Sequence, residues 1–441
     1  MGNRIGTNSS GAAAIANKLS GVYVSGSSGN LIGTDADGIS DGLERNLISG
    51  NLADGIQLTG AGTYQNVIAG NNIGLAALGA GALANGGTGI RLLDYSSQTR
   101  IGGGKSAERN LISGNTGSGI VITGSNSQGN WIAGNSIGAA ASGSAAIANG
   151  DSGIVVSGAT TVVIGTNGDG TADSTEGNLI SGNLLDGIRI ENGGSGALSG
   201  NIIGTKSTGT EALGNGRWGV NITGASGVLI GTNSDGVSDN LERNLISGNG
   251  SDGIRISGAN TTENMVFGNN IGTSLNGQSA IPNNGRGVLL EGQAKYNMIG
   301  GMTAAARNLI SGNTAAGVRI TGAGTDANRV QMNYIGVAAD GLTALPNASH
   351  GVEILATANS SMIGDSGAGN VISANAGSGI LIDGSDSTFV RSNRIGTNAA
   401  GLAALPNGAY GVLVQSGSGH TRIGGGALGA RNLISGHTLS G

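Results

Sequence analysis

The chain has 441 residues, of which 90 are glycine, 3 are proline and only 2% are aromatic. A globular core of this length normally buries many aromatic side chains, whereas here the apolar residues are mostly Ile, Leu, Val and Ala, which stack well in narrow parallel-sheet interiors. With 11% charged residues, a net charge of −5 and no cysteine, the composition excludes disulfides and thiolate metal sites and shows no basic stripe for nucleic acid.

A short strand motif, Gly-(Ile/Val)-x-(Ile/Leu/Val), recurs along the whole chain. Its alternation places two side chains inward and one outward. No copy is long enough to bury its own apolar face, so the copies must stack on one another. Thirteen copies, 28 to 34 residues apart, begin at Gly21, Gly55, Gly89, Gly119, Gly153, Gly187, Gly219, Gly253, Gly287, Gly317, Gly351, Gly379 and Gly411.

Two kinds of copy alternate. In one, a loop separates Asn-x-Ile-Gly from Leu-x-Asn, as in residues 71–85, and in the other a loop follows Ile-Gly-Gly, as in residues 101–110. The pattern indicates a basic turn of about 22 residues with one inserted loop at a different corner in alternate coils, and a super-repeat of about 64 residues.

One asparagine recurs in each coil, and the residue before it is usually glycine. A tight corner between strands needs a residue that tolerates the left-handed conformation and satisfies buried backbone groups, and stacked amides can bond as a ladder. The series predicted to form this ladder is Asn51, Asn71, Asn115, Asn135, Asn183, Asn201, Asn249, Asn269, Asn313, Asn333, Asn375 and Asn393, with His437 in the next place.

These phrases resemble the right-handed parallel β-helix repeats of large bacterial surface and secreted proteins, which share the pectate-lyase-like fold. The resemblance covers the whole chain. It implies an all-β, single-stranded right-handed parallel β-helix solenoid of about 13 coils, continuous over residues 1–441, with incomplete coils at both ends as in a window of a longer array. Since that fold hosts adhesins, stalks, lyases, hydrolases and epimerases, it implies little about function.

Three acidic loops are candidate metal sites. Oxygen side chains at relative positions 1, 3, 7 and 10 around a glycine bend can wrap Ca²⁺, although the spacing differs from that of an EF-hand. The alternative is a solvated turn. The predicted ligands are Asp35, Asp37, Asp41 and Glu44, then Asn167, Asp169, Asp173 and Glu176, then Asn233, Asp235, Asp239 and Glu242.

The outward residues of the repeated strand form a surface row, which in β-helix enzymes often holds a polysaccharide groove. Arginine pairs with carboxylates bidentately, so an acidic glycan is a candidate ligand. The row is mixed, and the sequence shows no carboxylate pair beside it for acid–base chemistry. The candidate binding residues are Arg189, Glu191, Asn221, Arg255 and Arg319.

The leading hypothesis is a non-catalytic structural or adhesive segment of a large extracellular or cell-surface bacterial protein, because a catalytic site would break the repetition at one locus. The alternative is a polysaccharide-active or polysaccharide-binding β-helix. Ca²⁺ is the only cofactor considered. Expected partners are a polysaccharide or cell-surface ligand and, through uncapped strand edges, other copies end to end; neither nucleic acid nor membrane insertion is expected.

Overall fold

The structure is a computed structural model that describes residues 2–79 and 81–441. The chain divides into two compact units. The first consists of Met1–Thr208 and Leu213–Arg217, and the second of Gly209–Ala212 and Trp218–Gly441. Each unit is a parallel β-solenoid in which three short strands per turn stack into three parallel sheets. The prediction of an all-β parallel β-helix is therefore confirmed, and continuity of one solenoid over residues 1–441 stays a prediction.

In the first unit every neighbouring strand pair is parallel and in register, as in Ile120↔Ile154 and Trp131↔Arg100. The first sheet contains Arg4–Ile5, Leu47–Ile48, Asn72–Ile73, Leu111–Ile112, Ser136–Ile137, Leu179–Ile180 and Ile202–Ile203. The second contains Val22–Ser25, Ile56–Thr59, Ile90–Leu92, Ile120–Thr123, Ile154–Ser157 and Ile188–Glu191. The third contains Leu31–Gly33, Val67–Ala69, Arg100–Gly102, Trp131–Ala133, Val162–Gly165 and Gly196–Ser199.

The second unit repeats this arrangement over seven turns. Its first sheet contains Leu245–Ile246, Asn270–Ile271, Leu309–Ile310, Tyr334–Ile335, Val371–Ile372, Arg394–Ile395 and Leu433–Ile434. The second contains Val220–Thr223, Ile254–Ser257, Val288–Glu291, Val318–Thr321, Val352–Leu355, Ile380–Asp383 and Val412–Gln415. The third contains Leu229–Gly231, Met265–Phe267, Met298–Ile299, Arg329–Val330, Met362–Ile363, Phe389–Val390 and Arg422–Ile423.

Helical structure in the described residues amounts to single turns inside loops. Two four-residue α-helices span Asp41–Glu44 and Asp173–Glu176, and two 3-10 turns span Ala77–Gly79 and Ser106–Glu108. In residues 2–79 and 81–441, no helix has both the length and the hydropathy needed to cross a membrane.

The core of each unit is built by alternation along the strands. In Ile56–Thr59 the first and third residues are fully buried, while Gln57 between them is half-buried on the outside. On the first sheet the inward residue is isoleucine at each described strand, and apart from the outermost coils these isoleucines are completely buried. Small β-branched side chains therefore stack on copies of themselves along each unit, as the composition predicts.

Asparagine ladders run along both corners that flank the first sheet, which corrects the prediction of one asparagine per coil. Shorter runs, such as Asn264, Asn297 and Asn328, precede the third sheet. Within each unit, the Nδ2 of one ladder asparagine donates to the Oδ1 of the asparagine in the next coil at 2.8–3.1 Å. The corner before the first sheet holds Asn3, Asn46, Asn71, Asn110, Asn135, Asn178 and Asn201, then Asn244, Asn269, Asn308, Asn333, Asn370, Asn393 and Asn432. The corner after it holds Asn17, Asn51, Asn85, Asn115, Asn149, Asn183 and Asn215, then Asn249, Asn283, Asn313, Asn347, Asn375 and Asn407.

The loops inserted after the first sheet form an outer layer. Most of them bond to the equivalent loop two coils away, as in Ala77 N to Gly11 O at 2.9 Å, Ser207 N to Gly143 O at 3.0 Å and Ala339 N to Gly277 O at 3.0 Å. They fold over the outward side of the first sheet, where Leu245 and Leu309 are 1% and 3% exposed. The first sheet is thus packed on both faces, and its outer surface is a set of clefts between loops.

Candidate functional site

The first acidic loop, residues 34–44, brings three carboxylates together. Oxygens of Asp35, Asp37 and Asp41 lie within 4.8 Å of one another on the solvent side of the loop. Asp35 accepts a bond from the amide of Asp37 at 3.1 Å, and Asp37 accepts one from Ile39 at 2.7 Å, so Asx turns fix the bend. Glu44 turns away, since its Oε2 accepts the Thr34 hydroxyl at 2.8 Å.

The second and third acidic loops, residues 166–176 and 232–242, share this backbone but not this cluster. Where the first loop has Asp35, they have asparagine, whose amide donates to the next carboxylate: Asn167 Nδ2 to Asp169 Oδ2 at 2.9 Å and Asn233 Nδ2 to Asp235 Oδ2 at 3.0 Å. One carboxylate oxygen in each loop is therefore already paired. Calcium at all three loops stays a prediction, and the first loop offers the most oxygens.

The last acidic residue of the second and third loops is buried. Glu176 and Glu242 are each 3% exposed. Burial raises the pKa of both carboxyls, and the hydroxyls of Thr166 and Thr232 offset this only in part. Asp173, 4% exposed, shares the Thr166 hydroxyl at 2.8 Å. These two loops therefore combine exposed Asx turns with buried carboxyls.

The outward face of the second sheet in the first unit contains a shallow cleft. Its floor is Val121 and Val155, and its edges are Arg91 on one side and Arg189 with Glu191 on the other. Two nitrogens of Arg91 donate to the carboxylate of Asp54, at 2.8 and 3.1 Å. The cleft therefore has fixed charged edges and an apolar floor.

At the second edge the Arg189 guanidinium contacts two carboxylates. Its Nη1 is 3.6 Å from Asp151 Oδ1 and its Nε is 3.3 Å from Glu191 Oε2. All three side chains remain accessible, at 24%, 34% and 30% exposure. The expectation that no carboxylate pair lies beside the outward row is therefore wrong, because Asp151 arrives from the corner before the strand.

In the second unit the same face carries an arginine held over an indole ring. The Arg255 guanidinium carbon is 4.6 Å from the centre of the Trp218 ring, and its Nη2 is 2.7 Å from Glu291 Oε1. Asn221 Oδ1 accepts from Arg255 at 3.3 Å, and Trp218 Nε1 donates to Asp252 Oδ2 at 3.3 Å. Trp218 is thus part of a cluster with Arg255 and Asp252.

The remaining predicted binding residue, Arg319, is bonded to Glu353 on the next coil. Glu353 is 2% exposed and also accepts the Ser349 hydroxyl at 3.0 Å. The neighbouring His350 accepts the Ser378 amide at its Nδ1, and burial lowers its pKa, while the negative charge of Glu353 acts in the opposite direction. Arg319 is consequently paired with a buried carboxylate, whereas the carboxylates that contact Arg189 are partly exposed.

The structure separates the predicted binding residues into different clusters. Arg189 and Glu191 share one edge of a cleft in the first unit, Asn221 and Arg255 share the indole cluster in the second, and Arg319 lies in its own ion pair. The residues that sequence reasoning missed, Asp54, Asp151, Asp252 and Trp218, all lie one or two positions before the strand glycine. The polar and aromatic residues just before each strand glycine are therefore the sequence signal that could have identified them.

No protein-family model matches the chain, and no curated protein matches it. Among solved structures, the mannuronan C-5 epimerase AlgE6 A-module of Azotobacter vinelandii is similar at 15% identity and a TM-score of 0.49, over 90% of this chain and 88% of that one. A mutant of the periplasmic alginate epimerase AlgG has 13% identity and a TM-score of 0.49, over 89% and 73%. The Dettilon tailspike protein has 15% identity and a TM-score of 0.42, over 90% and 62%. These similarities concern the fold alone.

Proposed function

We propose that the chain is a polysaccharide-binding β-helix of an extracellular or cell-surface protein, and that it binds through the outward face of the second sheet. The observation that carries the proposal is the cleft of the first unit, with its Val121 and Val155 floor between arginine–carboxylate edges. An apolar floor with a few fixed polar groups suits a sugar ring with its hydroxyls, because binding sites combine such surfaces. This keeps the adhesive role predicted from the repeats and gives it a ligand class.

The edges supply both donors and acceptors. Arg91 and Arg189 lie on strands three coils apart, a separation of about 14 Å along the stack. Each guanidinium is oriented by a carboxylate, so less side-chain entropy is lost when a sugar binds.

The test is binding of the whole chain to immobilised polygalacturonate, xylan and dextran. Val121→Phe fills the floor of the cleft from a half-buried outward position and is expected to abolish retention. Leu381→Phe, at the same strand position in another coil, is the matched control and is expected to change nothing. No retention of the unaltered chain, or equal retention by both variants, would refute the proposal.

Catalysis has one observation in its favour, which is that Asp151 and Glu191 both contact the Arg189 guanidinium in an open cleft. Two carboxylates of this kind serve as acid and base in polysaccharide cleavage. Release of reducing ends from polygalacturonate or xylan, lost in Glu191→Gln, would establish an enzyme. Retention without any product would leave the binding function.

A further inference from the structure

A second set of arginines lies away from the second-sheet face, in the clefts between the loops that cover the first sheet. They occupy the position before a ladder asparagine in the coils that carry the longer loop, and comprise Arg45, Arg109, Arg243, Arg307 and Arg431. Because the asparagine points inward, the residue before it points outward. In the intervening coil between Arg243 and Arg307 this position is Gly268, so the two arginines are about 10 Å apart along the stack with no side chain between them.

Within the described residues, neither Arg243 nor Arg307 forms an ion pair. The Arg243 Nη1 is 3.4 Å from Asn270 Oδ1, and the Arg307 Nε donates to the carbonyl of Met332 at 3.2 Å. The Arg307 guanidinium carbon is 4.3 Å from the centre of the Tyr334 ring. A guanidinium has five N–H donors, so most of them remain available.

The acidic residue beside Arg243 in the sequence does not neutralise it. Glu242 is buried against the amide of Asn233, at 3.0 Å. Two like charges in a partly buried place oppose each other, and the pKa of Arg243 is lowered first by burial and then by the charge of Arg307. An anion between the two would relieve both effects.

The space between these arginines is a cleft of about 150 Å³, lined by Arg243, Ala304, Arg307, Leu309, Tyr334 and Ala339. A water molecule takes about 30 Å³ of liquid volume, so an oxyanion group fits. None of the described residues that line this cleft carries a carboxylate. A wider, open cleft meets it at Arg243 and Ala304, and Asp239 lies on its rim, bonded to the Thr232 hydroxyl at 2.9 Å.

The first unit contains the same pair. The Arg45 Nη1 is 3.4 Å from Asn72 Oδ1, and the Arg109 Nε donates to the carbonyl of Gly134 at 3.2 Å. The pKa of Arg45 is lowered by burial and by the charge of Arg109. The adjoining cleft is lined by Lys105, Arg109, Ser142, Thr175 and Ser207, among others. Two units thus present one arrangement, although their loops differ in sequence.

We propose that the Arg45–Arg109 and Arg243–Arg307 pairs bind the oxyanion groups, carboxylate or sulfate, of an acidic polysaccharide, at a surface separate from the second-sheet face. Paired guanidiniums without protein counterions match an oxyanion by charge and by bidentate geometry. The clefts open to solvent on the outside of the loops, so an oxyanion carried on a polymer reaches them. The proposal does not depend on the Val121 cleft.

The experiment is electrophoresis of the whole chain through gels that contain dextran sulfate or, as the uncharged control, dextran. The unaltered chain is expected to be retarded by dextran sulfate alone. Arg45→Gln/Arg109→Gln and Arg243→Gln/Arg307→Gln should each weaken binding, and the four substitutions together should weaken it about tenfold or more, since charge-assisted bonds are lost. Arg329→Gln/Arg422→Gln, which removes two exposed arginines of the third sheet, is the charge-matched control for each double variant and should stay within about twofold of the unaltered chain.

Inorganic sulfate in calorimetry at constant ionic strength distinguishes the source of the anion. Dextran sulfate binding that depends on the four arginines supports the proposal. Binding of sulfate ion but not of dextran sulfate would overturn the assignment to a polymer, and equal losses in the control variant would show general charge attraction and overturn the site. Val121→Phe should leave this binding intact, so failure here and failure of the proposed function are distinguishable.

Discussion

The ladder corners and the inserted loops of the same coils follow opposite rules. At the corners one amide recurs in coil after coil, whereas the loops that begin beside it differ in almost every coil. In residues 102–108, for example, Glu108 pairs with Arg100 at 2.6 Å, while in residues 166–176 the equivalent Glu176 binds a threonine hydroxyl. Buried backbone groups require the same residue at each corner, whereas the loops are free to vary. Clefts and charge clusters accordingly lie among the loops and on the outward faces.

The largest effect is expected from a ladder substitution. Asn249→Leu removes an amide that donates to Asn283 at 2.9 Å and leaves buried polar groups unsatisfied, at a cost of about 1–3 kcal/mol. The exposed Arg329→Ser in the same unit should cost less than about 0.5 kcal/mol. Hydrogen exchange of the coils around each site measures both. Similar small effects would break the comparison by showing that the corners are not the determinant of stability.

The next effect is calcium binding, which tests whether loops of one shape differ in chemistry. At a Kd of about 10⁻⁴–10⁻³ M, stabilisation at ten times Kd is about 1.4 kcal/mol. The expected order places the loop of Asp35, Asp37 and Asp41 first, because the asparagines of the other two loops already donate to a carboxylate. Calorimetry of Asp37→Asn should show lost heat, and of Asp169→Asn little change. No heat with the unaltered chain would leave all three as turns without a metal.

A smaller effect on stability is expected at the end of the ladder that follows the first sheet. His437 stands in the place of the next asparagine, and its Nε2 is 3.2 Å from Ile395 O. Burial lowers its pKa, so its contribution to stability is complete above the unfolded value of about 6.5 and decreases as the pH falls below it. His437→Asn should restore the ladder, stabilise the last coil by up to about 1 kcal/mol and remove that pH dependence. Exchange rates of residues 411–441 at pH 5 and pH 7.5, each corrected for its intrinsic rate, measure this; unchanged protection in the variant would count against a ladder role for position 437.

The smallest effect concerns the buried loop carboxyls. The raised pKa of Glu176 means that its charged form costs stability at neutral pH, and that this cost decreases as the pH falls through the raised value towards about 4.3, the unfolded value. Glu176→Gln should therefore stabilise the chain at pH 7, by about 1 kcal/mol or less, and should confer less benefit at pH 4. Thermal unfolding of this variant beside the exposed Glu263→Gln measures the difference. A destabilised Glu176→Gln at pH 7 would show that the charge itself holds the loop.

Sequence reasoning reached the fold because its determinants are local and repeated. Alternation in Gly55-Ile-Gln-Leu specifies which side chains point inward, and the spacing of the copies specifies stacking. It merged the two ladders because Asn51 and Asn71 both follow a glycine, yet one comes after a first-sheet strand and the other before the next. The phrases Arg-Asn-Leu-Ile and Leu-x-Asn hold the missing members, such as Asn110 and Asn85.

The candidate site was predictable only in part, because its contacts join residues of different coils. Arg189 and Glu191 lie on one strand, so the sequence predicts them together. Asp151 belongs to the preceding coil, and Trp218 lies one coil before Arg255, so neither contact follows from sequence spacing. The uncompensated charge of Arg243 was hidden for a different reason. Its sequence neighbour Glu242 looks like its partner, and only burial of that carboxylate against Asn233 shows otherwise.

The hydrogen bonds between loops two coils apart have a consequence for how such a chain changes length. A loop after the first sheet finds its partner only if the coil between them carries its loop at the other corner, as in Gly277 to Ala339 and Gly341 to Ala399. Insertion or deletion of a single coil would place unlike loops opposite each other. The hydrogen bonds between matching loops would then be lost, and the outer side of the first sheet would be exposed there. A change of length that preserves this packing therefore adds or removes two coils at a time.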